Sequence, residues 1–213
     1  MATALPSQTV AQVNLLPKED GARADLYALL ARLFFVGPDQ GILFTIAQSD
    51  DFGVAEDALT AAPLFAAWHE LKREAAVTDA EMATNEYNDV FVSLGRPPVS
   101  IFASHYLSEN YKDLTLVHLR DELERLGLAR EENSSEPEDH LAGLLEVMRH
   151  LVLRGAGPEQ LEEQHRFLNS YLAGWFENFC DLVAAQGSTV FYRPVAELLR
   201  TFLRLEVESL GMA

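Results

Sequence analysis

The chain has 213 residues, of which 33 are acidic and 16 basic, so its formal net charge at pH 7 is −17. A field of that sign repels nucleic acid and anionic lipid and attracts cationic partners, although an acidic surface also simply keeps a protein soluble. The hydrophobic fraction of 48% is ordinary for a globular protein with a buried core. A single cysteine, Cys180, excludes an internal disulfide and a cysteine-based zinc cluster.

The amino-terminal stretch MATALPSQTVAQVNLLPKED has no basic residue before Lys18 and no continuous apolar block, so it does not match a secretory signal. No stretch of the chain reaches the roughly 18 to 20 uninterrupted apolar residues of a membrane-spanning helix. We therefore expect a cytoplasmic protein without stable membrane insertion. Residues 1–16 are expected to be irregular, ahead of one helical domain over residues 17–213.

The first half of the chain predicts helices separated by glycine and proline. ADLYALLARLFF has apolar residues at helical spacing and is followed by the helix-ending pair Gly37-Pro38. The helices of this half are expected over residues 24–35, 40–47, 54–76 and 79–92. The next segment, SLGRPPVSIFASHYL, contains Gly95, Pro97 and Pro98, which predicts an extended loop that is unusually apolar.

The second half predicts further helices. Ser108 can cap a helix, and the polar run AREENSSE predicts a mobile linker near residues 129–135. Ser135 lies three residues before Glu138, the spacing of a capping box, which predicts a helix with Pro137 in its first turn. The remaining helices are expected over residues 158–185 and 194–210. Because no segment alternates like a strand, we predict an all-α fold, a single bundle of about seven to ten helices.

The sequence contains no complete motif for a metal site or for a phosphate-binding loop. The six histidines include no H-E-x-x-H pair. Glu162 and His165 form one Glu-x-x-His pair, whereas a di-iron bundle needs two such pairs and further inward glutamates. The chain also lacks the glycine-rich phosphate loop and the G-x-S-x-G elbow. We therefore predict no catalytic residue, no bound metal and no cofactor.

The adjacent residues Asp139 and His140 open the segment DHLAGLLEVM and invite several interpretations. Neighbours on a helix point about 100° apart, so these two do not by themselves form the tight pair of a serine hydrolase. A carboxylate in a first helical turn is stabilised by about 0.3–1 kcal/mol, which accounts for Asp139 but not for His140. A catalytic pair, a recognition element and a simple helix cap all stay open on the residues alone.

Two segments resemble one known family. EYNDVFVSLGRPPVSIFASHYL is similar to the aromatic, Gly- and Pro-rich segment of the TorD/DmsD/NarJ family of redox-enzyme maturation chaperones. EPEDHLAGLLEVM is similar to the Glu-Pro-x-Asp-His-Leu segment that opens a helix in that family. Their spacing, the helical pattern and the chain length fit as well, and the resemblance is to the TorD/DmsD branch.

The resemblance implies a cytoplasmic chaperone, monomeric or dimeric, without turnover chemistry. Such proteins bind the twin-arginine signal peptide, or another N-terminal segment, of the catalytic subunit of a molybdenum enzyme. They delay its export or assembly until the molybdopterin cofactor is inserted. Carried over to this chain, the resemblance implies a signal-peptide site that comprises Tyr87, Val90, Phe91, Ile101, Phe102, Ser104, Tyr106, Asp139 and His140.

The chemistry of a twin-arginine leader fits these residue types. Aromatic side chains would bury its apolar stretch, and Asp139 would pair with a guanidinium in bidentate fashion. Some family members carry tryptophan where this chain has Tyr87 and Phe102, which leaves the groove shape and the client open. Two alternatives also stay open: a nucleotide hydrolase that uses Asp139 and His140, and a structural subunit of an oxidoreductase complex.

Overall fold

The computed structural model of the chain describes residues 17–50, 58–93, 95–106, 112–128 and 137–212. Within these ranges the chain forms nine α-helices and no β-strand, which confirms the predicted all-α fold. The helices are α1 (Lys18–Phe35), α2 (Gln40–Gln48), α3 (Ala58–Ala75), α4 (Ala80–Tyr87), α5 (Lys112–Arg125), α6 (Leu141–Leu153), α7 (Pro158–Tyr171), α8 (Phe176–Ala185) and α9 (Tyr192–Gly211). The irregular segment expected over 1–16 and the linker expected over 129–135 lie outside the described residues.

Helices α1 and α9 organise the packing of the bundle. Helix α1 lies mainly against α6, and α9 contacts α3, α7 and α8. Helix α2 packs on α3, and α6 packs on α7. In the described part of the chain, none of the helices is both long enough and apolar enough to cross a bilayer.

Two of the predicted helices are not continuous α-helices in the structure. The helix expected over 79–92 forms α4 and then widens into a π-helical turn over Asn88–Val92. The helix expected over 158–185 is interrupted, because the helical conformation ends at Tyr171 and resumes at Phe176. At this break the Trp175 indole N–H donates to the carbonyl of Tyr171 at 2.7 Å. The break also places the Trp175 ring in a stack with Tyr106, 5.0 Å between centroids.

An aromatic cluster joins the two halves of the chain. The ring of Phe34 in α1 lies 5.9 Å from Phe91 and 5.4 Å from Phe179, both edge-on. The Tyr192 ring at the start of α9 lies 5.2 Å from Phe91, again edge-on. Such pairs each contribute about 0.5–1.5 kcal/mol beyond the burial of their area. The cluster therefore holds α1, the π-helical turn, α8 and α9 together.

Buried tyrosine hydroxyls satisfy the carboxyl end of α1. The last carbonyl groups of a helix have no partner inside the helix and need donors from elsewhere when they are buried. The hydroxyl of Tyr192 donates to the carbonyl of Leu33 at 2.9 Å. The hydroxyl of Tyr87 donates to the carbonyls of Phe34 and Phe35, at 3.2 and 2.8 Å. These bonds fix the end of α1 to both α4 and α9.

A buried ionic network joins α1 to α9 near the amino end of α1. The Arg23 guanidinium donates to both carboxylate oxygens of Glu206, at 2.7 and 2.8 Å, and the Tyr27 hydroxyl donates to the same carboxylate at 2.9 Å. Burial opposes the charged form of Arg23, but hydrogen bonds and charge from Glu206 and Asp20 outweigh it, so the pKa of Arg23 lies above its usual value. Burial and the Glu206 charge likewise raise the pKa of Tyr27.

We expect Glu206→Ala to lower the free energy of unfolding by about 2–4 kcal/mol, because it leaves the buried Tyr27 hydroxyl without its acceptor and leaves the partly buried Arg23 guanidinium with only Asp20 and Gln164 as acceptors. Urea unfolding followed by circular dichroism measures the loss. The matched control is Glu208→Ala, which removes an exposed carboxylate from the same helix and should cost less than about 0.5 kcal/mol. Equal losses in the two variants would contradict a structural role for the network.

The thiol of Cys180 is expected to be inert in the folded protein. The side chain is fully buried in α8, and burial raises the pKa of the thiol to about 12. Since the thiolate is the reactive form, the native protein at pH 8 should react with a chromogenic disulfide reagent only as fast as it unfolds. The same reagent should react at once in guanidinium chloride. Rapid labelling of the native protein would show that α8 opens locally.

Candidate functional site

A short backbone pairing holds the apolar loop over residues 95–106 against the segment that precedes α6. The N–H of Ala103 donates to the carbonyl of Asp139 at 3.0 Å, and the N–H of Leu141 donates to the carbonyl of Ile101 at 2.9 Å. Phe102 and His140 thereby form an isolated antiparallel bridge. The pairing brings together two segments that are distant in the sequence, and both carry residues of the predicted site.

Helix α6 begins later than the capping-box pattern predicts. Its first residue is Leu141, and His140 is the N-cap, with extended backbone angles of φ −63° and ψ 134°. The Nδ1 of His140 accepts a hydrogen bond from the N–H of Ala142 at 3.1 Å. Because His140 is extended and the N–H of Leu141 bonds to the loop carbonyl of Ile101, the helix cannot begin before Leu141. Pro137 therefore precedes the helix, and Ser135 lies outside the described residues.

The carboxylate of Asp139 points toward the loop. The residue is only 2% exposed, and its Oδ2 accepts from the N–H of Ser104 at 2.8 Å. A carboxylate that accepts a backbone N–H in a buried setting holds that segment in place, because leaving the donor unsatisfied is costly. In this arrangement Asp139 shapes the loop, and its carboxylate is not presented at the surface for a guanidinium.

Asp139 and His140 are not arranged as a catalytic pair. In a hydrolase triad the carboxylate accepts from the Nδ1–H of the imidazole and so orients it. Here the Nδ1 of His140 is itself an acceptor for a backbone N–H, and the Asp139 carboxylate bonds to the loop. Among the described residues, no three or more His, Cys, Asp or Glu side chains are grouped so that they could hold a metal ion.

An exposed apolar surface adjoins His140. The ring of Phe102 lies 5.2 Å from the imidazole and the ring of Phe35 lies 6.1 Å from it, both edge-on. Phe35 is 56% exposed, its neighbour Val36 is also exposed, and Phe102 is half-buried. We call these four residues, Phe35, Val36, Phe102 and His140, the aromatic patch. Solvent-facing phenylalanine beside other apolar groups is typical of a binding surface.

Phe35 is absent from the site that the sequence predicts, although a signal for it exists. Phe34 and Phe35 are consecutive at the end of α1, and consecutive helical residues point about 100° apart. Both cannot face the core, so one of two adjacent phenylalanines at a helix end must be directed elsewhere. The core takes Phe34, and the Tyr87 hydroxyl fixes the backbone of Phe35 beside the start of α6.

The other predicted site residues lie mostly beneath the surface. Tyr87, Val90, Phe91 and Ile101 are buried in the core. Tyr106 is half-buried, and its hydroxyl donates to the carbonyl of Ser100 at 2.6 Å, which closes the loop on itself. Burial also raises the pKa of Tyr106 above its usual value. Tyr87 holds the backbone of Phe35, and Ile101 pairs with Leu141 beside the patch. The part of all five residues in binding stays a prediction.

Substitutions of Asp139 test whether its carboxylate only supports the loop or also contacts a bound partner. We expect Asp139→Ala to lower the free energy of unfolding by about 1.5–3 kcal/mol, because the Ser104 N–H loses a charged acceptor. Asp139→Asn keeps an amide oxygen in place and should cost less. Thermal unfolding and a peptide-binding assay are measured on both variants. Loss of peptide binding in Asp139→Asn at unchanged stability would show that the carboxylate meets the partner directly.

Comparison with protein families gives a match over residues 57–181, to the family described as nitrate reductase delta subunit. The matched range contains the loop, the residues before α6 and the backbone pairing between them. It does not contain Phe35 and Val36, the part of the aromatic patch that α1 and the residue after it supply.

Curated relatives are chaperones by name. The chaperone protein TorD of Actinobacillus pleuropneumoniae serotype 3 is 28% identical over 123 residues, which are 57% of this chain and 60% of that relative's length. The chaperone protein TorD of Shewanella pealeana is 28% identical over 212 residues, 90% of each chain. A crystal structure of a putative redox enzyme maturation protein from Archaeoglobus fulgidus superposes with a TM-score of 0.55 at 23% identity, covering 85% of this chain and 93% of that one. At this level of identity, the match to the Archaeoglobus fulgidus protein shows a shared fold.

Proposed function

This chain belongs to the nitrate reductase delta subunit family, and from this premise we propose that it is a maturation chaperone for a molybdopterin-dependent oxidoreductase. The observation that carries the proposal is the match over residues 57–181, because it spans both the loop over residues 95–106 and the segment that precedes α6. The TorD chaperones that resemble the chain over 57% and 90% of its length support the same role.

We propose further that the bound segment is the twin-arginine signal peptide, or another N-terminal segment, of the catalytic subunit. Such a leader carries an apolar stretch that needs an apolar surface. The aromatic patch offers one, with the rings of Phe35 and Phe102 both edge-on to the buried His140 imidazole. Aromatic anchors of this kind supply most of the energy of a small interface, since they bury large areas at little conformational cost.

The net charge of −17 supports the same partner. A leader with two adjacent arginines is cationic ahead of its apolar stretch, so the field of the chaperone would attract it over a distance. Such attraction raises the rate of association more than the final affinity, and it weakens with salt. Binding would keep the leader from the export machinery while the molybdopterin cofactor enters the client in the cytoplasm.

Neither alternative function gains support from the site. A nucleotide hydrolase that used Asp139 and His140 would need the carboxylate to orient the imidazole, but both groups bond to backbone N–H groups instead. A permanent structural subunit would need a large apolar interface. The aromatic patch is built from four residues, a size that suits a peptide better than a subunit.

We expect Phe35→Ala and Phe102→Ala each to weaken the binding of a cognate leader peptide about tenfold, the usual size of an aromatic anchor in a small interface. Isothermal titration calorimetry with leader peptides of molybdenum enzymes measures the change. The matched control is Phe44→Ala, which removes an exposed phenylalanine of α2 outside the aromatic patch.

Two control peptides complete this experiment, one with a scrambled apolar stretch and one with both arginines replaced by lysine. The scrambled peptide should bind weakly to every variant. Equal affinities for Phe35→Ala, Phe102→Ala and Phe44→Ala would remove the aromatic patch as the binding surface. Failure of every leader to bind would remove the signal peptide as the recognised segment.

A further inference from the structure

A second surface, separate from the aromatic patch, lies between the α3–α4 corner and the chain that enters α9. It is a groove of about 400 Å³. Three of its lining residues are apolar and largely exposed: Val77 by 79%, Met82 by 71% and Val190 by 62%. Apolar side chains exposed to this extent and gathered around one groove are typical of a binding surface rather than of scattered surface residues.

Carboxylates accompany these apolar groups. Glu74, Asp79, Glu86 and Asp89 line the same groove, and none of its described lining residues is basic. A surface that combines aliphatic side chains with several carboxylates complements a segment that combines aliphatic side chains with cations. Arginine suits such a site best, because its guanidinium forms paired hydrogen bonds with carboxylates and is weakly hydrated.

The walls of the groove are held in place by part of this acidic set. The Glu86 carboxylate accepts from the backbone N–H groups of Val190, Phe191 and Tyr192, at 3.0, 3.1 and 2.7 Å. The Asp79 carboxylate caps the start of α4. These bonds fix Val190 opposite α4, so the groove exists before anything binds. Asp89 is exposed at the rim, where a charge influences binding without supporting the fold.

The groove continues beyond Val190. A second cavity, of about 530 Å³, shares Glu74 and Val190 with the first and extends toward α8 and α9, where Arg193 and Arg200 join its lining. Because the second cavity carries two arginines and the first has no basic residue among its described lining residues, the first groove is the part that suits a cationic segment. Helix α4 links the first groove to the aromatic patch, because Glu86 lines the groove while its neighbour Tyr87 holds the backbone of Phe35.

Other occupants match the groove less well. A second copy of this chain would bring a net charge of −17 toward carboxylates of the same sign, which opposes association. Residues 1–16 of the chain contain neither lysine nor arginine, so they cannot neutralise the groove. The charge complementarity therefore favours a cationic segment of a different protein.

We infer that this groove binds the arginine-bearing part of the client segment whose apolar stretch binds at the aromatic patch, an inference that rests on the proposed function for the identity of the partner. Asp89, exposed at the rim, is then the carboxylate that first meets a guanidinium group, whereas the buried Asp139 carboxylate faces the loop. Exposed aliphatic groups at Val77, Met82 and Val190 pack against the stems of the arginines and their apolar neighbours.

The test uses two synthetic peptides with the same apolar stretch of about twelve residues, the length of a signal-peptide core. One carries two arginines ahead of that stretch and the other carries two glutamines. Affinities are measured by fluorescence anisotropy at about 0.05 M and about 0.5 M salt, since screening distinguishes a charge effect from a packing effect. The variants are Asp89→Lys and Met82→Ser, and the control is Glu208→Lys, an equal change of charge at an exposed position that does not line the groove.

We expect Asp89→Lys to weaken the arginine peptide about five- to tenfold at low salt and much less at high salt, because it replaces an attraction at the rim by a repulsion. It should leave the glutamine peptide unchanged, and Glu208→Lys should leave both unchanged. Met82→Ser should weaken the arginine peptide at both salt concentrations, because it removes apolar contact.

Three results would overturn the inference: equal effects of Asp89→Lys and Glu208→Lys, equal affinities of the two peptides for the wild-type protein, or no binding of the arginine peptide. A separate readout tests the proposed function, namely capture of the complete client catalytic subunit by the wild-type chain. If Phe35→Ala impairs that capture and Asp89→Lys does not, the groove is wrong and the chaperone role stands. If the wild-type chain captures no such subunit, the chaperone role itself fails.

Discussion

The carboxyl end of α1 lies inside the aromatic core, and its carbonyl groups must find donors there. A buried helix end without partners would forfeit several hydrogen bonds, each costing about 1–3 kcal/mol. The hydroxyls of Tyr87 and Tyr192 supply those donors, so α4 and α9 must approach from defined directions. The same constraint directs Phe34 inward and leaves Phe35 at the surface beside His140. The position of the aromatic patch thus follows from how one helix end is satisfied.

The segments that carry the family resemblance act on each other. Residues near Phe102 and residues near His140 pair through their backbones, and the Asp139 carboxylate closes the pairing by accepting from the N–H of Ser104, a partner 35 residues away. The Asp-His sequence is therefore explained by structure before any ligand is considered. Asp139 shapes the loop, and His140 caps α6 while its ring contacts those of Phe35 and Phe102. A motif of this kind keeps a binding surface in shape without touching the client through every residue.

Charge plays two different parts in this molecule. The carboxylates of Glu206 and Glu86 are engaged with partners inside the protein, one with a guanidinium and the other with three backbone N–H groups. Exposed carboxylates such as Asp89 do not support the fold in this way, and they add to a field that attracts cations. The proposed division places the apolar part of a client segment at the aromatic patch and its cationic part in the acidic groove. Packing would then set affinity at one surface, while charge would set selectivity and salt dependence at the other.

The sequence by itself determined the helical class, most helix positions and the family, because apolar spacing, glycine–proline stops and short motifs are local properties of the chain. Tertiary structure decided the rest. The late start of α6, the inward Asp139 carboxylate and the break before Phe176 all depend on partners that are distant in the sequence, and no local pattern encodes them. The sequence predicted the exposure of Phe35 only in part. Two adjacent phenylalanines show that one of them must point away from the core, but they do not show which one. The sequence did not predict the groove between the α3–α4 corner and the start of α9, because residues from these three distant elements come together only in the folded chain.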